Sequence, residues 1–175
     1  LSQKRIALCF TQGVSLRSWS ETGLFDREVD LYNRLCAHIK GVNFLTYGDR
    51  TDLAYTAQLN DGIQIYPNRN KILRKASRRW QRVLYLQHRG VLRDSDIIKT
   101  NQIAAAPLAL HAKTTFGKKV ITRCGYLWSY MAEKENRSAD HISRVYSLEG
   151  AAFRKADAGV VTTTKIRDMI IERHQ

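Results

Sequence analysis

The sequence predicts an α/β fold: a single Rossmann-like, doubly wound, mostly parallel sheet of about six strands. Two observations carry this. Short apolar runs alternate with longer stretches of helical periodicity. No linker, internal repeat or biased segment interrupts that alternation, and 175 residues at 43% hydrophobic content suffice for one domain with its own core.

The elements follow in order. Residues 5–10, Arg-Ile-Ala-Leu-Cys-Phe, read as a buried first strand. A polar loop covers 11–23, and a helix runs from about Phe25 to Lys40, with Phe25, Val29, Tyr32, Leu35, Cys36 and Ile39 on one face and Gly41 as its stop. Residues 43–47 form a second strand, 48–52 a turn and 63–66 a short third strand closed by Pro67. A basic helix spans about 71–89, with Ile72, Leu73, Ala76, Trp80, Val83, Leu84 and Leu86 on its apolar side. A fourth strand (96–100), an alanine-rich helix (103–116), a fifth strand (119–123), a helix (139–156), a sixth strand (158–162) and a last helix (165–173) complete the chain. In such a sheet ligands collect beyond the carboxyl ends of the strands, where strand order reverses. The segments of interest are therefore 11–23, 47–52, 101–102, 123–130 and 162–165.

Charge narrows the partners. Lys and Arg number 29 against 16 Asp and Glu, a net charge of +13 that implies an anionic partner. The excess concentrates in Arg69, Lys71, Arg74, Lys75, Arg78, Arg79 and Arg82, with no acidic residue among them. With Trp80 among its apolar residues this helix has the composition of an anion-binding or membrane-surface element. The same residues suit RNA phosphates, and a basic α/β nucleic-acid-binding domain is the alternative reading. No recognised nucleic-acid motif accompanies them. No stretch approaches the roughly 20 apolar residues of a bilayer span and no signal-peptide pattern opens the chain, so the expected location is cytoplasmic. Cys9, Cys36 and Cys124 are odd in number and widely spaced, as reduced, mostly buried thiols are.

Motifs for chemistry are sparse. The first loop lacks G-x-G-x-x-G, since Gly13 and Gly23 stand ten residues apart, which argues against a dinucleotide site. The five histidines show no metal-ligand spacing, so no metal site is expected. No serine lies in a nucleophile elbow, and a receiver's acidic cluster is absent. What remains is a set of polar residues at predicted strand ends. Gln12, Gly13 and Gly23 belong to the long first loop. Asn101 and Gln102 offer amides that either bond sugar hydroxyls or tie down neighbouring loops. Arg123, Gly125 and Tyr126 place a cation, a permissive glycine and an aromatic at one terminus, where Arg123 serves a ligand or pairs with a carboxylate. Thr164 opens the last helix.

The order of these segments resembles the N-terminal domain of the retaining, two-domain glycosyltransferases of GT-B fold (group 1, or family 4). The resemblance rests on 23–28 (Gly-Leu-Phe-Asp-Arg-Glu) leading into 29–32, and on 97–102 (Ile-Ile-Lys-Thr-Asn-Gln) before Ala104-Ala-Ala. It rests further on 120–126 (Val-Ile-Thr-Arg-Cys-Gly-Tyr), and on Glu149 to Asp157 before 158–164, which is similar to the family's E-x-x-A…A-D stretch. It implies an acceptor-side domain covering 1–175, with a C-terminal donor-binding domain outside this chain. It implies transfer of a sugar from a nucleotide-sugar to a glycan or lipid-linked acceptor in cell-envelope polysaccharide biosynthesis, without metal or cofactor. The nucleotide-sugar is then a co-substrate held mainly by the other half, so this part alone is inactive. The family often places a histidine after the fifth strand, where this chain has Arg123-Cys124, so no catalytic residue is assigned. The basic helix fits peripheral attachment at the inner membrane face, and apolar surface left by the second domain can drive dimerisation.

Overall fold

The computed structural model describes residues 3–68 and 79–174, with the side chains of 79–83 left aside. Arg69, Lys71, Arg74, Lys75 and Arg78 of the basic patch lie outside the described residues. Arg79, Trp80 and Arg82 are described only as backbone at the start of a helix.

Six parallel strands form one sheet: β1 (Arg5–Cys9), β2 (Gly41–Leu45), β3 (Ile63–Tyr66), β4 (Ile97–Thr100), β5 (Lys119–Cys124) and β6 (Ala158–Val161), in the order β3-β2-β1-β4-β5-β6. The fold class is as the alternation predicts. β2 is buried throughout and β1 nearly so, as unbroken apolar runs in a parallel sheet covered on both sides require. Strand order reverses between β1 and β4, whose pairing aligns Cys9 with Thr100.

Among the described residues seven α-helices flank the sheet: α1 (Leu16–Glu21), α2 (Phe25–Leu35), α3 (Arg79–Asp94), α4 (Ala106–Phe116), α5 (Trp128–Lys134), α6 (Ala139–Lys155) and α7 (Thr164–His174). A short 3-10 turn at Ile103–Ala105 leads into α4. The main core lies under α2, where Phe10 stacks on Trp19 with ring centroids 4.3 Å apart and Tyr32 and Phe44 meet edge-on at 5.2 Å. A second cluster joins Ile103, Ala106, Cys124, Leu127 and Ala152 beneath α6.

Four local expectations are corrected. The segment 11–23 is not a loop throughout, because α1 forms inside it. Ser15 caps α1, accepting from the Ser18 N–H at 3.0 Å while the Ser18 hydroxyl accepts from the Ser15 N–H at 2.8 Å. This is a capping box with serine where glutamate is usual, and Leu16 and Trp19 bury its inner side. The expected turn at 48–52 opens a 3-10 helix, Arg50–Gln58, capped by Asp49. α5 occupies ground expected to be loop. Finally, Gly41 does not stop α2, which ends at Leu35; it starts β2 at φ +156°, where a Cβ would sit 2.4 Å from the Gly62 carbonyl oxygen.

Candidate functional site

The carboxyl edges of β1, β4 and β5 meet at the reversal point, and polar residues crowd there although the strands below are apolar. Arg123, near the end of β5, reaches under α2 to Glu28. Nη1 donates to Oε2 at 2.5 Å and Nη2 to Oε1 at 3.1 Å. Glu28 stands on the buried face of α2 at the spacing Phe25, Glu28, Val29, Tyr32, so the helix delivers a carboxylate where an apolar residue is expected. Arg27 adds a contact of 3.0 Å. Burial pushes the Glu28 carboxyl up, but hydrogen bonds and charge from Arg123, then Arg27, outweigh it and hold the group below its ordinary value.

Lys99 lies beside this pair. It is only 9% exposed, and its Nζ donates to the Tyr32 hydroxyl at 3.0 Å. Burial, reinforced by the positive charge of Arg123, lowers its pKa from 10.5 to about 8, and Glu28 offsets part of this. The residues Glu28, Tyr32, Lys99 and Arg123 therefore form one buried polar cluster under the crevice. A lysine in the otherwise apolar run Ile97-Ile-Lys-Thr was the signal for it in the sequence.

The amides at the end of β4 are committed to this edge. The Asn101 Oδ1 accepts from Arg123 Nη1 at 3.4 Å, and its N–H donates to the Cys9 carbonyl at 2.9 Å. The Gln102 Oε1 accepts from the Gly125 N–H at 2.9 Å, so close that a Cβ on Gly125 would meet the amide nitrogen at 3.0 Å. Asn101, Gln102, Arg123 and Gly125 thus come together by direct contact. Tyr126 follows them and projects outward, 51% exposed. Thr164 opens α7 beyond β6, the edge strand of the sheet.

The edge of β1 and β2 carries a separate concavity of about 280 Å³, lined by Gly13, Ser15, Arg17, Tyr47, Gly48 and Thr51 among others. Gln12 is half-buried in the turn just before it, and Gly23 lies away from it, ending the α1 segment at φ +68°. Asp52, fully buried, braces its wall: one oxygen accepts from Thr46 Oγ1 at 2.5 Å and the other from the Arg17 N–H at 3.2 Å. Gly48 permits this, since a Cβ there would fall 2.2 Å from Asp52 Oδ2. At this edge the buried hydroxyls of Thr11 and Tyr47 have no hydrogen-bond partner among the described residues. A buried hydroxyl left unbonded costs about 1–3 kcal/mol.

Two acids from the last third of the chain, given no role by sequence reasoning, prove structural. Glu149, fully buried, accepts from the N–H groups of Trp128 at 2.6 Å and Ser129 at 3.0 Å, holding the first turn of α5. Asp157 accepts from Lys113, Lys119 and the Val120 N–H, joining α4 and β5 to the start of β6, and these partners hold its carboxyl far below the ordinary range. Cys9 and Cys124 are buried, and burial raises both thiols to about 12. Among the described residues no three His, Cys, Asp or Glu side chains gather where they can share a metal ion. No helix among them is long and apolar enough to cross a membrane.

No family model and no curated protein sequence matches the chain. Solved structures do. Over 98% of its length the chain is similar to Anabaena Alr3699/HepE crystallised with UDP, at 14% identity and TM-score 0.58. A second structure of that protein, with UDP and glucose, matches at 12% identity and TM-score 0.57. The lipopolysaccharide outer core galactosyltransferase WaaB, in its apo form, matches at 15% identity and TM-score 0.52. The chain spans 41% of the length of HepE and 43% of that of WaaB. At these identities the likeness is one of fold.

Proposed function

We propose that this chain is the acceptor-side domain of a two-domain, GT-B glycosyltransferase that transfers a sugar from a nucleotide-sugar, with retention, to a glycan or lipid-linked acceptor of cell-envelope polysaccharide. The observation that carries the reading is the match of 98% of the chain to less than half of two larger proteins, one crystallised with UDP and glucose and the other a galactosyltransferase.

The residues support an acceptor-side role. Departure of a nucleoside diphosphate develops negative charge that cations or N–H groups must meet. Arg123 is neutralised by Glu28, and Lys99 is buried against Tyr32, so neither is free to take a diphosphate. The cavity beside β1 and β2 instead offers hydroxyl-bearing and backbone groups from Gly13, Ser15, Tyr47 and Thr51, with the Asp49 carboxylate bonded to Thr51 and Arg17 engaged to Glu21 at 2.7 Å. Such a lining suits a neutral, hydroxyl-rich ligand. The donor's charge then falls to a second domain, and this chain alone does not catalyse. The basic residues 69–82 hold the protein reversibly at an anionic membrane surface in this reading.

The test is a UDP-release assay on a longer polypeptide that joins this chain to a donor-binding domain, with UDP-hexoses as donors and anomeric configuration of the product read by NMR. Turnover by the longer protein and none by residues 1–175 is the expected result. Transfer with inversion, or no nucleotide release from any sugar donor, would overturn the assignment.

A further inference from the structure

Beyond the crevice, the turn after β5 builds a second concavity that the reading above does not use. It measures about 380 Å³, within the range of small-ligand sites, and Tyr126, Trp128, Met131 and Val145 line it, with Glu135, Arg137 and His141 around them. Tyr126 and Trp128 lie nearly parallel, with ring centroids 6.4 Å apart and planes 29° apart, and both line the concavity as its aromatic platform. Tyr126 remains 51% exposed and Tyr130 41%.

The backbone that carries this platform is held in place. Glu149 fixes the backbone of Trp128 and Ser129 from beneath. Gly125 is held on both sides, its N–H by Gln102 at 2.9 Å and its carbonyl by the Thr162 hydroxyl at 3.0 Å. The Cys124 thiol donates to the Tyr126 carbonyl at 3.1 Å. Aromatic area held in place costs little ordering entropy when a ligand binds, which is the physical advantage of preorganisation. The rim is polar: Arg137 and Glu135 pair at 2.9 Å, presenting donors and an acceptor side by side, and His141 is exposed.

We infer that this platform is a saccharide subsite, taking one pyranose ring of the acceptor glycan with its apolar face on Tyr126 and Trp128 and its hydroxyls on the rim. The ligand chemistry follows from the lining. A flat aromatic floor selects a ring with an apolar face, and a mixed donor–acceptor rim selects hydroxyls rather than a net charge. The subsite follows the crevice in sequence, Tyr126 lying three residues beyond Arg123 at the exit of β5. The inference rests on the glycosyltransferase reading for the word acceptor, but not for the binding itself.

The test is a titration of this chain with maltose, cellobiose and lactose, followed by saturation-transfer NMR and by the indole N–H signal of Trp128. Expected are transfer to the sugar ring protons and a shift of that signal. Tyr126→Ala, at an exposed position, should weaken binding by about tenfold or more, while Leu31→Ala, at an exposed apolar position on α2, should leave it unchanged. Binding that survives Tyr126→Ala, or no binding of any of the three sugars, overturns the subsite. A change of mass in light scattering on Tyr126→Ala, without sugar binding, overturns it in favour of an interface between copies. Failure of the nucleotide-release assay with sugar binding intact would instead remove the enzyme reading and leave the subsite.

Discussion

Replacing Lys99 by methionine isolates the most unusual electrostatic feature of the crevice. Lys99 is buried in β4 with the Tyr32 hydroxyl as its close partner, and its pKa falls from 10.5 to about 8. The sign follows from linkage. A lowered lysine pKa means the unfolded chain binds the proton more tightly than the folded one, so wild-type stability rises as pH climbs from about 8 to 10.5. Below about pH 8 the folded state bears the full cost of the buried charge, on the order of 3 kcal/mol from the size of the shift. Methionine matches the length of the side chain and removes the charge, but it leaves the Tyr32 hydroxyl without its donor, at about 1–3 kcal/mol. At neutral pH the two nearly cancel, with the variant equal to wild type or more stable by about 2 kcal/mol. The decisive quantity is therefore the difference in slope. Urea unfolding followed by circular dichroism, from about pH 7 to 10.5, should show wild type gaining on the variant across the upper half of that range. Other groups titrate in both proteins and drop out of the comparison. Parallel stability curves would refute the reasoning, because Lys99 would then titrate as an ordinary surface lysine.

Other consequences are simpler to measure. Arg123→Met leaves Glu28 charged and buried with only Arg27 beside it, and should cost about 3–5 kcal/mol in denaturant unfolding, whereas the double variant with Glu28→Met should recover much of that. Since the Glu28 carboxyl is held low, its contribution is present above its unfolded pKa and lost as pH falls through the folded value; Glu28→Gln should flatten the acid limb of the stability curve. Gly48→Ala pushes a methyl group into the Asp52 carboxylate, and should lower stability by about 2 kcal/mol or more without changing the denaturant slope. Thiol titration with a chromogenic disulfide should find at most Cys36 reactive in the native protein and all three cysteines in urea; fast native reaction at Cys9 or Cys124 would contradict their burial.

Much of the fold was legible because parallel strands announce themselves. The mainly apolar stretches read as strands at 5–10, 43–47 and 96–100 form strands at 5–9, 41–45 and 97–100, and their order alone implies crossover helices. The helix α1 was not legible by the same means. It spans one and a half turns, too short for periodicity, and its signal is a serine pair rather than the usual serine and glutamate. At the site, position on a strand end was readable and partnership was not. Arg123 stood at a strand exit in the sequence, but its partner Glu28 lies 95 residues earlier, and no local pattern joins them. Asn101 and Gln102 looked equally suited to a ligand or to loop bracing, and only the fold shows both bonded to Arg123 and Gly125.

That partnership bears on how labour divides in the complete enzyme we propose. A cleft that stabilises a departing diphosphate needs cations whose charge is not already met. On this chain the crevice cation Arg123 meets a carboxylate, and Arg17 at the cavity mouth does too. Buried acids elsewhere along the same edge, Asp52 and Glu149, are bonded to backbone N–H groups and hold segments in place. These four ionisable groups are thus spent on shape. What the edge offers a ligand is hydroxyls, backbone groups and an aromatic face, the inventory for an uncharged sugar chain. Converting Glu28 to Gln should leave Arg123 with an unneutralised charge beside the crevice, and in the longer protein it should raise affinity for UDP while lowering stability. Nucleotide affinity measured by calorimetry on that variant decides the matter: no gain in affinity would mean that the diphosphate never approaches this wall, even when a cation is freed there to receive it.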